Sequence, residues 1–292
     1  MKKLLVLLAV CAGVTTATAQ ELPEKGSIVT EIGFTPFKSS GETFKLNDAM
    51  LKFRYFVTDK DVVRLKLGVG IDNNTTDNAT FTHPQDLSGY NVRVEDNSTK
   101  TTNKKSDIQI MLGYERHFAP TGRFDVYAGA EIGFEWNNRS GSVEENGLTT
   151  GYSNSKLDYT VQSARNTDYT DMTPDGELSS HAFKGGVFAG LDFYIYKGLY
   201  IGTELGISFT SGKSPNGYYS YNSSSVETNS SGVVTYARNE SYSGDTGLTT
   251  TNTTINNNTT TTISAQQAST TERSATKLKL YVEPAIRLGW KF

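Results

Sequence analysis

The residues best suited to chemistry are few, and they lie near the middle of the chain. His181 directly follows Ser179 and Ser180, and Glu177 lies two residues before Ser179. A serine, a histidine and an acid are the residue types from which a hydrolytic site is built. Serine is abundant in this chain, however, and no spacing identifies a nucleophile, a base and an orienting acid together. We therefore expect no catalytic residues and predict that the protein is not an enzyme.

Metal-binding and redox patterns are equally sparse. The one cysteine, Cys11, lies so near the start that the rest of the chain offers no disulfide, no thiolate zinc site and no reactive thiol. The sequence Asp72-Asn73-Asn74 lacks the remaining positions of a calcium-binding loop. We expect no metal ion and no bound cofactor.

The overall charge argues against a nucleic-acid partner. The 292 residues carry 28 basic and 31 acidic side chains, which gives a formal net charge of −3. This balance supplies no basic surface for a phosphate backbone. With 20% charged and 11% aromatic residues, the composition is typical of a chain that folds.

The first residues have the pattern of a secretory signal. Two lysines precede an apolar run over residues 4–14, and Ala17-Thr18-Ala19 supplies small residues before Gln20. We predict a signal peptide over residues 1–19, cleaved near Ala19-Gln20, followed by one domain over residues 20–292. The apolar run is shorter than the roughly 20 residues that a membrane-spanning helix needs. A lipoprotein signal at Cys11 is the weaker alternative, because Val10 stands where such signals usually have a small residue.

The strongest pattern in the rest of the chain is alternation. From residue 277 to the end, every even position is apolar, whereas the odd positions are polar, charged or small. A period of two is the pattern of a β-strand with one apolar face. The same alternation recurs elsewhere and no comparable helical period is present. We predict eight strands, over residues 27–37, 48–58, 62–72, 106–118, 123–136, 181–196, 199–210 and 277–292.

The predicted connections are short at one end of the strands and long at the other. Residues 58–61, 119–122 and 197–198 form tight turns, and Gly198 can adopt the positive φ that a hairpin requires. The other connections span residues 38–47, 73–105, 137–180 and 211–275. This arrangement is typical of an up-and-down antiparallel barrel. We predict an all-β fold, an eight-stranded antiparallel barrel with both termini at the short-turn end.

Glycines and aromatic residues indicate which face of this barrel points outward. Glycines crowd the polar face, which suits a narrow interior better than an exposed surface. Twelve residue steps from Phe124 to Trp136, at a tilt of about 40°, rise roughly 30 Å, which matches a bilayer. Aromatic residues of the apolar face gather at the turn end (Tyr55, Phe118, Phe124, Phe193, Trp290, Phe292) and at the loop end (Phe34, Phe134, Trp136, Phe183, Phe209).

We therefore predict a transmembrane β-barrel with short periplasmic turns and long extracellular loops. A soluble, secreted, lipid-binding barrel with its apolar face inside is the alternative.

The polar face then lines the interior of the barrel and carries nearly balanced charge. Charges in so narrow a space are costly unless they are paired. We predict an ion-pair network formed by Glu31, Lys52, Arg54, Arg64, Lys66, Glu115, Glu131, Glu135, Lys184, Asp192, Glu204, Lys279, Glu283 and Arg287. Two interpretations of this network are open. It is either a satisfied polar core that keeps the lumen closed, or the lining of a narrow gated channel whose ion pairs exchange partners.

The end of the chain carries the most specific motif. Ile286-Arg287-Leu288-Gly289-Trp290-Lys291-Phe292 is an alternating apolar strand closed by an aromatic residue. Together with the eight-strand pattern, it resembles the OmpA/OmpX-like outer-membrane β-barrel family of Gram-negative bacteria, over nearly all of residues 20–292. The resemblance implies an outer-membrane location, surrounding outer-membrane lipid, and a barrel-assembly machinery that recognises Ile286, Leu288, Trp290 and Phe292 as an assembly signal.

The long connections suggest a role at the cell surface. Residues 211–275 contain 35 Ser, Thr or Asn among 65 positions, a composition that cannot build a packed core. Alternating patches such as residues 232–236 could prolong the hairpins above the membrane, where a sheet edge can recruit a partner strand. We expect a structural or surface-interaction role, including adhesion to an extracellular ligand. A hydrated canopy with no dedicated ligand and a small porin-like channel are the alternatives.

Overall fold

The alternating sequence forms an entirely antiparallel β structure. A computed structural model describes residues 23–34, 50–84, 86–87, 89, 92–118, 123–196, 198–265 and 273–291; for residues 32–34, 50, 273–275 and 277–288 it describes the backbone alone. The strands are β1 (Ile28–Phe34), β2 (Met50–Phe56), β3 (Asp61–Thr82), β4 (Val92–His117), β5 (Phe124–Ser153), β6 (Lys156–Thr170), β7 (Ser180–Tyr196), β8 (Leu199–Ser214), β9 (Tyr218–Asn229), β10 (Val234–Ser243), β11 (Leu248–Ile255), β12 (Asn258–Ala265) and β13 (Arg273–Lys291). Among the residues described, no helix is long and apolar enough to span a membrane.

Eight of the strands pair in a closed ring. The order β1-β2-β3-β4-β5-β7-β8-β13 returns to β1, because β13 pairs with both β8 and β1 and β7 pairs with β5. Two of the predicted tight turns lie partly or wholly within the described residues. The amide of Val57 donates to the carbonyl of Asp61 at 2.9 Å, and Gly198 has the predicted positive φ of +78°.

The two faces of the ring differ in the way that the alternation predicted. On β3, Val63, Leu65 and Val69 are exposed, whereas Arg64 and Lys66 are buried. On β4 and β5, Leu112 is 56% exposed and Ile132 is 59% exposed. The charged residues therefore lie inside the ring and the aliphatic residues lie outside, which is the reverse of a soluble protein.

The predicted all-β antiparallel architecture is confirmed. The predicted total of eight strands is wrong, because the described residues form thirteen strands, of which eight pair in the ring. Much of what was expected to be loop is strand: β3 and β4 continue as a hairpin through residues 73–82 and 92–105, and β5 continues to Ser153. Residues 137–180 also contain β6, and residues 211–275 contain β9 to β12. Thr-rich sequences favour strands even where no apolar alternation marks them.

The additional strands form a sheet that extends from the ring. The order of this sheet is β3-β4-β5-β6-β9-β10-β11-β12. Its first three strands are the continuations of ring strands β3, β4 and β5 past the ring. Odd-numbered residues of β5 point into the ring. We call the face of the extended sheet that carries the odd-numbered residues of β5 the inner face, and the opposite face the outer face. The predicted signal peptide, the connection at 38–47 and the turn at 119–122 lie outside the described residues.

One irregularity interrupts the ring where β13 meets β8. Glu283 pairs with Glu204, but Arg287 pairs with Gly202, so two extra residues are inserted on β13. Pro284 falls within this bulge, and proline has no N–H to donate to a strand ladder. Because two residues are inserted, odd positions of β13 keep the same face on both sides of the bulge.

Glycines on the inner face make room for aromatic rings. A Cβ atom at Gly190 would lie 2.2 Å from the ring of Tyr127, and one at Gly289 would lie 2.2 Å from the ring of Tyr200. By contrast, a Cβ at Gly185, on the exposed face of β7, would meet no atom closer than 3.8 Å. Gly190 and Gly289 are therefore required by packing.

Replacing Gly190 with alanine should destabilise the ring, because the added methyl group overlaps the buried ring of Tyr127. We expect a loss of about 1–3 kcal/mol in the free energy of unfolding, typical of an overpacked core. Gly185→Ala, on the same strand, is the control and should be close to neutral. Urea unfolding of the refolded protein in detergent micelles measures both; equal losses would contradict the packing role of Gly190.

Candidate functional site

The interior of the ring is filled by two layers of side chains. The layer nearest the short turns is aromatic and aliphatic, and it contains Val29, Phe56, Val62, Tyr194 and Tyr200, all buried. The rings of Tyr194 and Tyr200 are 5.1 Å apart between centroids. This layer places buried apolar and aromatic side chains at the turn end of the ring.

Arg64 lies at the centre of the second, charged layer and is 0% exposed. Its Nη1 is 2.9 Å from Glu115 Oε1 and 2.9 Å from Glu204 Oε2, and its Nη2 pairs with Glu131. The guanidinium carbon lies 3.4 Å from the centroid of the Phe188 ring. One cation thus joins carboxylates from β4, β5 and β8.

Arg54 makes the matching contacts on the other side of the interior. Its Nη1 is 2.8 Å from Glu31 Oε1 and 2.6 Å from Asp192 Oδ2, and its Nε is 3.0 Å from Glu115 Oε2. These carboxylates belong to β1, β7 and β4. Arg54 itself is on β2 and Arg64 on β3, so two arginines and their partners join seven of the eight ring strands.

Three lysines complete the charged layer towards the extended sheet. Lys52 Nζ is 3.5 Å from Glu31 and 3.4 Å from Glu204, and Lys66 Nζ is 3.7 Å from Glu131. Further up, Lys184 pairs with Glu135 in a half-buried position. The structure therefore brings together eleven of the fourteen residues predicted for the network. The side chains of the other three, Lys279, Glu283 and Arg287, lie outside the described residues.

The interior also contains polar residues outside the predicted network and an aromatic layer that sequence reasoning missed. His117 and Asp125 are buried, with Nδ1 of His117 2.7 Å from Asp125 Oδ2, and Tyr127 stacks on the His117 ring at 5.1 Å. The hydroxyl of Tyr200 donates to Glu31, and that of Tyr127 donates to Glu204 at 3.3 Å. The sequence signal for the aromatic layer was a local break in the alternation of apolar and polar residues. Near the short turns apolar residues occupy both faces, as in Tyr55-Phe56 and Val62-Val63.

A short segment between β6 and β7 folds onto the inner face above the charged layer. We call residues 171–179 the lid. Pro174 packs so closely on Gly141 that a Cβ there would lie 2.4 Å from the proline ring. Asn103 donates to Asp175 at 2.8 Å, and Thr173 is 0% exposed. Asp171 and Gly176 have positive φ values of 57° and 85°, which reverse the chain within the lid.

Ion pairs hold the lid to the wall. Glu177 Oε1 is 2.7 Å from Lys105 Nζ, and its other oxygen is 3.4 Å from Arg139 Nε. The hydrogen bond from Lys105 and the nearby charges of Lys105 and Arg139 lower the pKa of the Glu177 carboxyl below its ordinary value. Glu177 therefore stays ionised and paired at neutral pH.

Comparison with known proteins agrees with this architecture. Residues 38–230 match the family model described as Putative OmpA-OmpF-like porin family, which covers about two thirds of the chain. The chain belongs to the OmpA-OmpF-like porin family. No match was found among curated proteins or among solved structures.

In this OmpA-OmpF-like chain, the residues considered for hydrolysis do not form one site. Ser179 Oγ accepts from the amide of Arg139 at 2.8 Å, Ser180 Oγ accepts from Asn137 at 3.0 Å, and Glu177 is bound to cations. His181 lies on the opposite, exposed face of β7, where it is the strand partner of Trp136. The porin-like family is in general not enzymatic, which agrees with the expectation drawn from the sequence.

The Arg64 network gives a direct prediction for stability. Arg64→Met should leave Glu115, Glu131 and Glu204 without their shared cation, at a cost of about 3–5 kcal/mol in unfolding free energy. The control is Arg238→Met, which removes an exposed ion pair with Glu240 and should cost no more than about 1 kcal/mol. Urea unfolding in micelles compares them; a loss for Arg64→Met no larger than the control would contradict the role of the network.

The lid should loosen in acid. A lowered carboxyl pKa means that the Glu177 ion pairs are complete above the ordinary pKa of a glutamate and are lost as the pH falls through the lowered value. Because Glu177 is half exposed, we expect Glu177→Gln to raise amide exchange of the lid at neutral pH by about twofold to fivefold.

Hydrogen exchange of the Gly176 amide, corrected for its intrinsic rate, measures this effect in both the pH series and the variant. Glu144→Gln, an exposed acid on the outer face of β5, is the matched control and should leave exchange unchanged. If exchange in Glu177→Gln matched that of the unmodified protein, the ion pairs would not be what holds the lid.

Proposed function

We propose that this protein is an integral outer-membrane β-barrel whose eight-stranded ring spans the bilayer and whose extended sheet stands at the cell surface. The inverted burial of the ring is the observation that supports this most directly. Arg64, Glu115 and Asp192 are fully buried, whereas Leu112 and Ile132 are more than half exposed. Such an arrangement is stable only where hydrocarbon surrounds the ring, since water would favour the opposite arrangement.

The exposed band has the composition expected of a bilayer crossing. Exposed aromatic residues flank it at the turn end, at Tyr55, Phe118 and Phe124, and at the loop end, at Phe134 and Trp136. Two such girdles, separated by about 30 Å, are characteristic of the two membrane interfaces. The soluble lipid-binding alternative requires an apolar interior, and the buried charges of the described strands argue against it.

We further propose that the lumen is largely closed. The aromatic layer, the ion-pair layer and the lid lie one above another along the interior. An eight-stranded ring encloses only enough room for its own side chains. The role of the barrel is then structural: it anchors and orients the sheet outside the membrane.

A small porin-like channel is the second candidate, and the family match favours it. Each arginine contacts three carboxylates, so ion pairs could exchange partners and open a path. The same geometry supports a closed lumen, because every described member of the layer has a partner. Conductance distinguishes the two candidates.

The surface role depends on the extended sheet and the assembly role on the last strand. Residues 72–82 of β3 and all of β12 pair on one side only, so within the described strands two edges are available for a partner strand.

Trp290 is exposed, as an assembly signal read by the barrel-assembly machinery would require, while the side chains of Ile286 and Leu288 and all of Phe292 lie outside the described residues.

Membrane retention and conductance test this proposal. We expect the protein to remain in membranes through a carbonate wash, to migrate faster on gels before boiling than after, and to show no stable, large conductance in planar bilayers. A protein released by carbonate would contradict the membrane assignment. Stable conductance in the unmodified protein would contradict the closed lumen and favour the channel.

A further inference from the structure

The outer face of the extended sheet carries a trough that crosses the strands. Its floor is one row of small or amide side chains that are strand partners: Ser98, Asn146, Ala164, Ser224, Asn239 and Asn252. Two adjoining depressions of about 480 and 420 Å³ share Asn146, Ala164 and Ser224. From β4 to β11 the row crosses six strands, a length of about 24 Å.

The two walls of the trough differ in chemistry. One wall carries the apolar side chains Phe81, Leu148 and Val226, with Asp96 and Gln162 between them. The other is formed by a row of polar partners, Glu144, Asn166, Asn222, Ser241 and Thr250. A ligand in the trough would therefore meet apolar surface on one side and amide or hydroxyl groups on the other.

The charge of the trough argues against an anionic ligand. On the outer face, the charged side chains that line it are the acids Asp96 and Glu144. Arg165 borders the trough with its backbone, but its guanidinium lies 4.1 Å from the Tyr221 ring on the inner face. A phosphorylated or carboxylated polymer would meet these two acids, and Lys100, the cation beside them on this face, is the strand partner of Glu144.

The direction of the trough argues against a peptide strand. Peptides bind sheets mainly by main-chain hydrogen bonds along an edge. Here the backbone groups beneath the trough are already paired in the ladders, and the trough runs across them. Binding must depend on side-chain donors and acceptors, and each Asn amide offers both.

We infer that the trough binds an uncharged polysaccharide chain lying across the strands. Sugar rings present hydroxyl groups at their edges and C–H surface on their faces. The polar wall can hydrogen-bond to the hydroxyl groups, and the apolar side chains of the other wall can pack against the C–H surface. Asn146 lies ten residues beyond Trp136 on β5, so the trough lies up to about 33 Å beyond the apolar band. The inference rests on the proposed function only in placing this sheet outside the membrane.

The test uses the full-length protein in detergent micelles with dextran, laminarin and chitohexaose as probes. We expect at least one to bind, and binding should persist at about 0.5 M NaCl, where exposed charges are screened. Ala164→Trp and Ser224→Trp, which fill the floor, should each weaken binding by about tenfold or more. Phe81→Ala should weaken it severalfold by removing apolar contact.

Thr170→Trp is the matched control, because Thr170 is exposed on the same face of β6 but outside the trough. It should bind as the unmodified protein does. Failure of all three probes to bind, equal binding by Ala164→Trp, or binding confined to an anionic polymer such as heparin would each overturn the inference. None of these results would alter membrane retention, so failure here is distinguishable from failure of the proposed barrel.

Discussion

The ring of strands depends on the pairing of buried charge by two arginines. Arg54 and Arg64 each contact three carboxylates, and these come from strands on different sides of the interior. Desolvating so many ions is expensive, and only close, multiple contacts offset the cost. Because each guanidinium is planar and carries five donors in a fixed fork, it contacts three carboxylates at once, whereas Lys52 contacts two, at 3.5 and 3.4 Å.

The glycines and the aromatic layer follow from the same constraint. A narrow interior that contains arginines and tyrosines has no room for a Cβ opposite each ring, so Gly190 and Gly289 face Tyr127 and Tyr200. Towards the short turns the interior changes from charged to aromatic, and tyrosine hydroxyls connect the layers by donating to Glu31 and Glu204. The polar part of the ring therefore lies in its interior rather than at its surface.

The sequence predicted the ring well and the extended sheet poorly, for a physical reason. Alternation identifies a strand only where its two faces meet different surroundings, as the outside and the inside of the ring do, and eleven predicted charged residues do lie together on the interior side. Both faces of β9 to β12 meet water, so their sequences show no such period. The aromatic layer was missed because Phe56 and Val62 adjoin outward apolar residues, which hides the alternation at the strand ends.

The extended sheet shows why a Ser, Thr and Asn composition need not mean disorder. Its strands continue ladders that begin in the ring, and β5 alone runs for 30 residues. The entropic cost of bringing the first strands together is therefore already met by the ring. On the inner face, Tyr242 of β10 contacts Tyr219 and Tyr221 of β9 at 5.4 and 5.5 Å between ring centroids, and these cross-strand contacts add packing to the ladder hydrogen bonds. The outer face has no such cluster across its small-residue row. The tyrosines stabilise the sheet from one side, and this leaves the opposite side free to be shaped for binding.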